Sequence, residues 1–206
     1  MAITETDEVF MNRNQVDELL CEAIETERGG IKIYEIALSC AQNGDLRQEW
    51  EKYLAETRRH EQILKDICTE FGVNAERDTS GKKIVRSLAE TLIKGMQAAL
   101  NSGVRSQAEI VAAEAVATAE MKDHLNWELI GQVASKMDGN DATLLKKAYN
   151  EVEDQEDRHF YHAKGWAREL WAASLGVPAV LPPPEEKLHV KSGMGAAAAQ
   201  STRKLM

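Results

Sequence analysis

The stretch EDQEDRHFYHAKGW, residues 153–166, places four carboxylates and two histidines within fourteen positions. Glu156 and His159 fall on the apolar stripe of a helix, because residues three apart share one helical face. The other three carboxylates fall on different faces and are expected to be solvated, and His162 is expected at the edge of the helix. The stretch therefore predicts a helix that directs two polar side chains toward the core.

The rest of the chain also has a helical composition. It has 206 residues, of which 43% are hydrophobic and only four are proline, and this content predicts an all-α fold. Gly-rich and polar turn signals separate the apolar stripes. The predicted helices span residues 14–43, 45–71, 82–101, 104–137 and 141–174. Short turns join the first two and the last two, which predicts two antiparallel hairpins with a crossover helix between them.

Three segments differ in composition. Residues 1–13 are interpreted as an N-terminal arm, residues 14–175 as the helical bundle, and residues 176–206 as a Pro- and Ala-rich C-terminal extension. The extension lacks the apolar stripes of the bundle, so it is not expected to pack with it.

Charge and hydropathy exclude several classes of protein. The net charge is −9 without a run of basic residues, which argues against a nucleic-acid partner. The N-terminus is acidic and no window approaches the ~18 apolar residues of a membrane span, so we expect a cytoplasmic protein with no membrane partner. The three cysteines are odd in number and far apart, which does not indicate a disulfide framework.

Polar residues interrupt the apolar stripes of the four long helices. An ordinary bundle would place Leu, Ile or Ala there, because an unpaired polar group in a core costs several kcal/mol. These positions are Glu27, Thr57, His60, Glu120, His124, Glu156 and His159. Counted along the sequence, Glu27, His60, Glu120, Glu156 and His159 lie 16 to 20 residues from the turn of their own hairpin. At ~1.5 Å per residue, they are roughly 25 to 30 Å from that turn. We expect them at one level of the bundle.

Carboxylates and imidazoles that converge in a dry core predict a divalent metal site. A mixed oxygen and nitrogen donor set with open positions suits Fe(II) or Mn(II) better than the closed thiolate sites of structural zinc. The predicted ligands are Glu27, His60, Glu120, Glu156 and His159. His124, one turn after Glu120, is either a further ligand or a hydrogen-bond partner of one.

At these residues the sequence resembles the ferritin-like superfamily, in particular rubrerythrin-like and bacterioferritin-like di-iron carboxylate proteins. Glu27 with Tyr34 seven residues later matches the first helix of that family, and Glu156-x-x-His159 matches the last. The resemblance covers roughly residues 14–174. It implies a ferritin-like four-helix bundle with a di-iron centre, and Mn or Zn are the alternative metals. One position departs from the family pattern. Thr57 stands where the family has a bridging Glu, and the neighbouring Glu56 could reach the site instead.

The resemblance implies an oxidoreductase that reduces dioxygen or peroxide. Tyr34 and Trp127 are then candidates to donate electrons or hydrogen bonds near the metal. We expect an external electron donor, because the sequence shows no Cys-rich rubredoxin module. We also expect a homo-oligomer, in the form of a dimer. Two alternatives remain: ferritin-type iron oxidation and storage, and a redox-inactive bundle that acts as a binding or structural module.

Overall fold

The computed structural model describes residues 11–177, which form five α-helices and, within that range, no strand. The helices are α1 (Arg13–Cys40), α2 (Gly44–Glu70), α3 (Ser80–Asn101), α4 (Arg105–Lys136) and α5 (Gly139–Leu175). The prediction of an all-α fold is confirmed, and the helix ends lie within three residues of those predicted. The predicted arm, residues 1–13, and extension, residues 176–206, fall almost entirely outside the described residues.

Side chains in the turns fix where the helices begin. Asn12 accepts a hydrogen bond from the backbone of α1, Asn43 does the same for α2, and Thr79 for α3. Such caps satisfy amide groups that have no partner inside the helix and are worth about 1 kcal/mol each. Helix α5 ends at Gly176, whose φ of 68° is the left-handed conformation that glycine adopts without strain.

The four long helices form a bundle, and α3 lies against its outside. Short connections join α1 to α2 and α4 to α5, and each pair packs along its length, so both are antiparallel hairpins. Helix α1 also packs on α4, and α2 on α5. Helix α3 connects the hairpins and packs on α1 and α4. Between residues 11 and 177, no helix has the length and apolar character needed to cross a membrane.

Gly29 explains how closely α3 approaches α1. A Cβ atom at this position would lie 2.9 Å from the Cβ of Ala89 on α3, which is too close for two carbon atoms. A glycine in a helix costs about 1 kcal/mol relative to alanine. Here glycine leaves room for the side chain of Ala89, so that α3 packs closely on α1.

Polar residues divide the apolar core into two clusters. On α1, residues 16–24 belong to one cluster and residues 33–41 to the other, and α4 changes cluster between residues 116 and 127. Helix α2 changes cluster between residues 54 and 63, and helix α5 changes cluster between residues 152 and 163. The interrupted segments of all four helices therefore form one polar layer across the middle of the bundle.

Candidate metal centre

Six buried polar side chains meet in the polar layer, and every long helix contributes at least one. None is more than 5% exposed. They are Glu27 of α1, His60 of α2, Glu120 and Asp123 of α4, and Glu156 and His159 of α5. Four carboxyl groups this deep in a core require strong compensation, because burial of an unpaired charge is far more costly than burial of an unpaired amide.

The inward-facing atoms lie at the separations that ligands of one ion have. His60 Nδ1 is 2.9 Å from Glu156 Oε1, and His159 Nδ1 is 3.5 Å from the same oxygen. His159 Nδ1 is also 3.6 Å from Glu120 Oε2. Ligand atoms about 2.1 Å from a common ion are roughly 3 to 4 Å apart. This spacing is therefore compatible with a cation between the side chains.

The donor atoms fall into two groups that overlap. His60, Glu156 and His159 form one group, and Glu27, Asp123 and Glu156 form the other. Within each group all donor atoms lie within 4.8 Å of one another. Glu156 is the only residue common to both groups.

Seven inward-facing atoms of these side chains make no hydrogen bond with the described residues: Glu27 Oε2, His60 Nδ1, Glu120 Oε2, Asp123 Oδ1, both oxygens of Glu156, and His159 Nδ1. The 2.9 Å contact between His60 and Glu156 does not have the angles of a hydrogen bond. Because buried polar atoms are nearly always paired in native proteins, a cluster of unpaired ones facing a common point indicates a ligand at that point.

The opposite oxygens of two carboxylates are held by aromatic residues. Tyr34 Oη donates to Glu120 Oε1 at 2.7 Å, and Trp127 Nε1 donates to Glu27 Oε1 at 2.9 Å. Each bond holds one carboxylate oxygen and leaves the other without a hydrogen bond to the described residues. The structure thus brings both predicted aromatic residues to the site, where they orient candidate ligands.

The two histidines are oriented in the same way. His60 Nε2 lies 3.0 Å from Gln155 Oε1, and His159 Nε2 lies 2.9 Å from Glu56 Oε2. Both partners are hydrogen-bond acceptors, so each Nε2 atom carries a proton, and Nδ1 is the nitrogen that would offer its lone pair to a cation. Nδ1 is the atom that faces the centre, as metal ligation requires.

Burial and mutual repulsion disturb the protonation of the cluster. Burial, reinforced by Asp123 and Glu156, raises the pKa of Glu27 well above its ordinary value, and that of Asp123 is likewise raised. Burial raises the pKa of Glu156 to about 8. A bound cation favours the ionised carboxylates and would reverse these shifts.

The two imidazoles respond in opposite directions. Burial and the neighbouring His159 lower the pKa of His60 to about 4. Burial would also lower the pKa of His159, yet the carboxylates of Glu120 and Glu56 outweigh it and raise that pKa to about 10. Without a cation, His159 therefore carries the positive charge that partly balances the carboxylates.

The predicted residue His124 does not reach the cluster. Its Nε2 atom is 2.9 Å from Asp157 Oδ1, on the side of α4 that faces α5 and solvent. Asp123, one position earlier, points inward instead because it lies three residues after Glu120 on the same helical face. Sequence reasoning missed Asp123, although Glu120-x-x-Asp123 has the same spacing as Glu156-x-x-His159.

Helix α2 supplies no ligand at Thr57. Its hydroxyl donates to the carbonyl of Tyr53 on the same helix at 2.9 Å, and its methyl group packs near Gly30 of α1. Glu56 does not replace it as an inward ligand, since its carboxylate holds the outer face of His159. The fourth carboxylate of the cluster is therefore Asp123.

A second buried polar cluster lies behind His159. His162 was expected at the helix edge, but this prediction is wrong: the residue is 1% exposed, and its Nδ1 atom is 2.9 Å from Glu49. Tyr53 donates to Glu49 at 2.8 Å, and Trp166 donates to the other oxygen at 3.1 Å. The Tyr53 ring packs 4.1 Å from the ring of His159. This cluster fixes the position of a candidate ligand from behind.

No family model, no curated protein and no solved structure matches this chain.

Proposed function

We propose that this chain is a ferritin-like, non-haem di-iron or mixed Fe/Mn protein that reduces dioxygen or peroxide with electrons from an external donor. The observation that carries the proposal is the pair of donor groups that share Glu156. Four carboxylates and two imidazoles in a dry layer suit two divalent ions, because the charge of the ions offsets that of the carboxylates.

The donor groups favour an unsymmetrical centre. One group contains both imidazoles and a carboxylate, a set that suits Fe(II) or Zn(II), whereas the other contains only carboxylate oxygens, which suit Mn(II) or Fe(II). Glu120, within 3.6 Å of His159 Nδ1, is available to the first group. With three or four protein donors for each ion, coordination positions remain for the oxidant.

When bound, Fe(II) supplies electrons and a Lewis acid that stabilises negative charge on oxygen. The protein residues orient the ligands and exclude water. Tyr34 and Trp127 each hold one oxygen of a candidate ligand carboxylate, and Glu56 and Gln155 hold the two imidazoles. Because the surrounding layer is buried, interactions with developing charge are stronger there than in water.

Electrons must reach the centre from outside the chain. Cys21, Cys40 and Cys68 are buried free thiols, and burial raises the pKa of each. Protonated thiols are poor electron donors and poor metal ligands. This supports an external reductant rather than an internal one.

The proposal is tested by metal content and turnover together. Protein from iron-replete growth should carry close to two ions per chain and should consume hydrogen peroxide when an electron donor is supplied. Glu156→Gln should lose both properties, whereas the exposed control Glu114→Gln should keep them. Fewer than one ion per chain in the unmodified protein would instead indicate a redox-inactive bundle. A mineral core in a high-mass assembly would indicate iron storage.

A further inference from the structure

A cleft between α4 and α5 connects the surface with the candidate centre. It encloses about 190 Å³, and its walls include His124 and Trp127 of α4 and Tyr149 of α5. Four carboxylates line it, and no Lys or Arg of the described residues does. His124 pairs with one of these carboxylates, Asp157, at 2.9 Å. The exposed carboxylates give the mouth of the cleft a negative potential, because low-dielectric walls focus the field of like charges.

The floor of the cleft is Glu156, the carboxylate common to both donor groups. This residue is 1% exposed, and neither of its oxygens makes a hydrogen bond with the described residues. Trp127, beside it, donates to Glu27 of the second group. A ligand at the bottom of the cleft would thus meet the one side chain that belongs to both halves of the centre.

The mouth of the cleft carries the exposed carboxylates. The side chain of Glu128 is 54% exposed, and Glu153 on α5 is also exposed. Asp157 lies deeper, where it pairs with His124 at 2.9 Å. The carboxylates thus run in steps from solvent at Glu128 and Glu153 to the buried oxygens of Glu156.

We propose that this cleft is the route by which a divalent cation reaches the centre. The mouth carboxylates attract the ion, and Glu156 receives it and transfers it to either donor group. The volume is about six times the ~30 Å³ share of a water molecule, enough for an ion that keeps part of its hydration shell. The lining repels organic anions, so a cation is the ligand class that fits. This inference rests on the proposed metal centre.

The mouth carboxylates act on the rate of binding rather than on its stoichiometry. Among the described residues, the only groups with metal-binding spacing are the two in the polar layer, and neither includes Glu128 or Glu153. Two charges roughly 8 Å from a divalent ion in water change its local concentration about fourfold at ~0.15 M ionic strength and about fifteenfold at ~0.01 M. Their removal should slow association by these factors.

The test is stopped-flow binding of Co(II) to the metal-free full chain, followed by the visible absorption of the bound ion. The variant Glu128→Gln/Glu153→Gln is compared with Glu90→Gln/Glu114→Gln, which removes the same charge from exposed positions that do not line the cleft. We expect slower association in the first variant only, with a steeper loss at low salt. The final amount of bound Co(II) should be equal in all three proteins.

Two results would overturn the inference. Equal association rates for the unmodified protein and the cleft variant would show that ions enter elsewhere, and so would an equal decrease in the control variant. Neither result would affect the metal centre itself, because the unmodified protein would still bind Co(II). Failure of the unmodified protein to bind Co(II) would instead refute the centre, and with it the route.

Discussion

Replacement of Glu156 by glutamine should stabilise the metal-free protein. Glu156 is surrounded by the carboxylates of Glu27, Glu120 and Asp123, and burial raises its pKa to about 8. Its ordinary pKa is 4.5, so at pH 7.5 the folded protein must take up a proton that the unfolded chain does not hold. The corresponding cost is at most about 4 kcal/mol, at 1.36 kcal/mol for each pKa unit.

Glutamine has almost the same shape and needs no proton. Because neighbouring carboxylates share the repulsion, we expect Glu156→Gln to raise the free energy of unfolding by about 1 to 3 kcal/mol at pH 7.5. The gain should fall below about 1 kcal/mol at pH 5, where glutamate is protonated in the folded protein and partly protonated in the unfolded chain. Urea denaturation of the metal-free protein at the two pH values measures both quantities.

A structural role for Glu156 predicts the opposite sign. If its 2.9 Å contact with His60 were a stabilising ion pair, removal of one partner would cost about 3 to 5 kcal/mol. Destabilisation of that size at pH 7.5 would refute the reasoning. Glu114→Gln, exposed on α4, is the control and should change stability by less than about 0.5 kcal/mol.

Three further predictions concern other parts of the protein. The metal-free protein should lose about 2 kcal/mol of stability or more between pH 6.5 and pH 8, because Glu156 and His159 hold protons that the unfolded chain releases; their folded-state pKa values are about 8 and about 10. A pH series of urea denaturations measures this loss, and saturating Mn(II) should abolish it. A stability that does not change over this pH range would contradict the pKa shifts. Asp123→Asn should reduce the Mn(II) content by at least one ion per chain, whereas His124→Asn should leave it unchanged; mass spectrometry of the metal content compares the two, and the reverse outcome would make His124 the ligand. Gly29→Ala should lower the free energy of unfolding by about 1 to 3 kcal/mol, because the added methyl group meets Ala89 at 2.9 Å. The double variant Gly29→Ala/Ala89→Gly should recover part of this loss in the same urea denaturation. Full stability of the single variant would contradict the close packing of α1 and α3.

The sequence predicted the helices and the level of the polar layer well, for a physical reason. Apolar periodicity repeats over many turns of each long helix, so a single exception such as Glu27 or His60 is conspicuous against it. Distance from the hairpin turn then gives the level, because each residue adds a fixed rise. Both inferences depend on local regularity, which the bundle preserves.

The rotation of α4 was less predictable. The predicted stripe passes from Glu120 to His124, but a stripe with steps of three and four can equally well pass through Asp123, which was not considered. The structure directs Asp123 inward and leaves His124 with Asp157. The choice depends on how α4 packs against α1 and α5, which the local sequence of α4 does not determine.

The cluster behind His159 was missed for a similar reason. Glu49 and His162 are far apart in sequence, and each looks like an ordinary surface residue on its own helix. Only the packing of α2 on α5 brings their side chains to 2.9 Å and buries both. A buried pair of this kind is visible when the tertiary structure is known.

The central claim is that six side chains from four helices gather around two cations. Crystals grown with Mn(II), with diffraction data collected to reveal the anomalous signal of that ion, test this most directly. The account predicts two peaks in the polar layer, each about 2.0 to 2.4 Å from an oxygen of Glu156. Saturating Mn(II) that leaves no peak among Glu27, His60, Asp123 and His159 would contradict it.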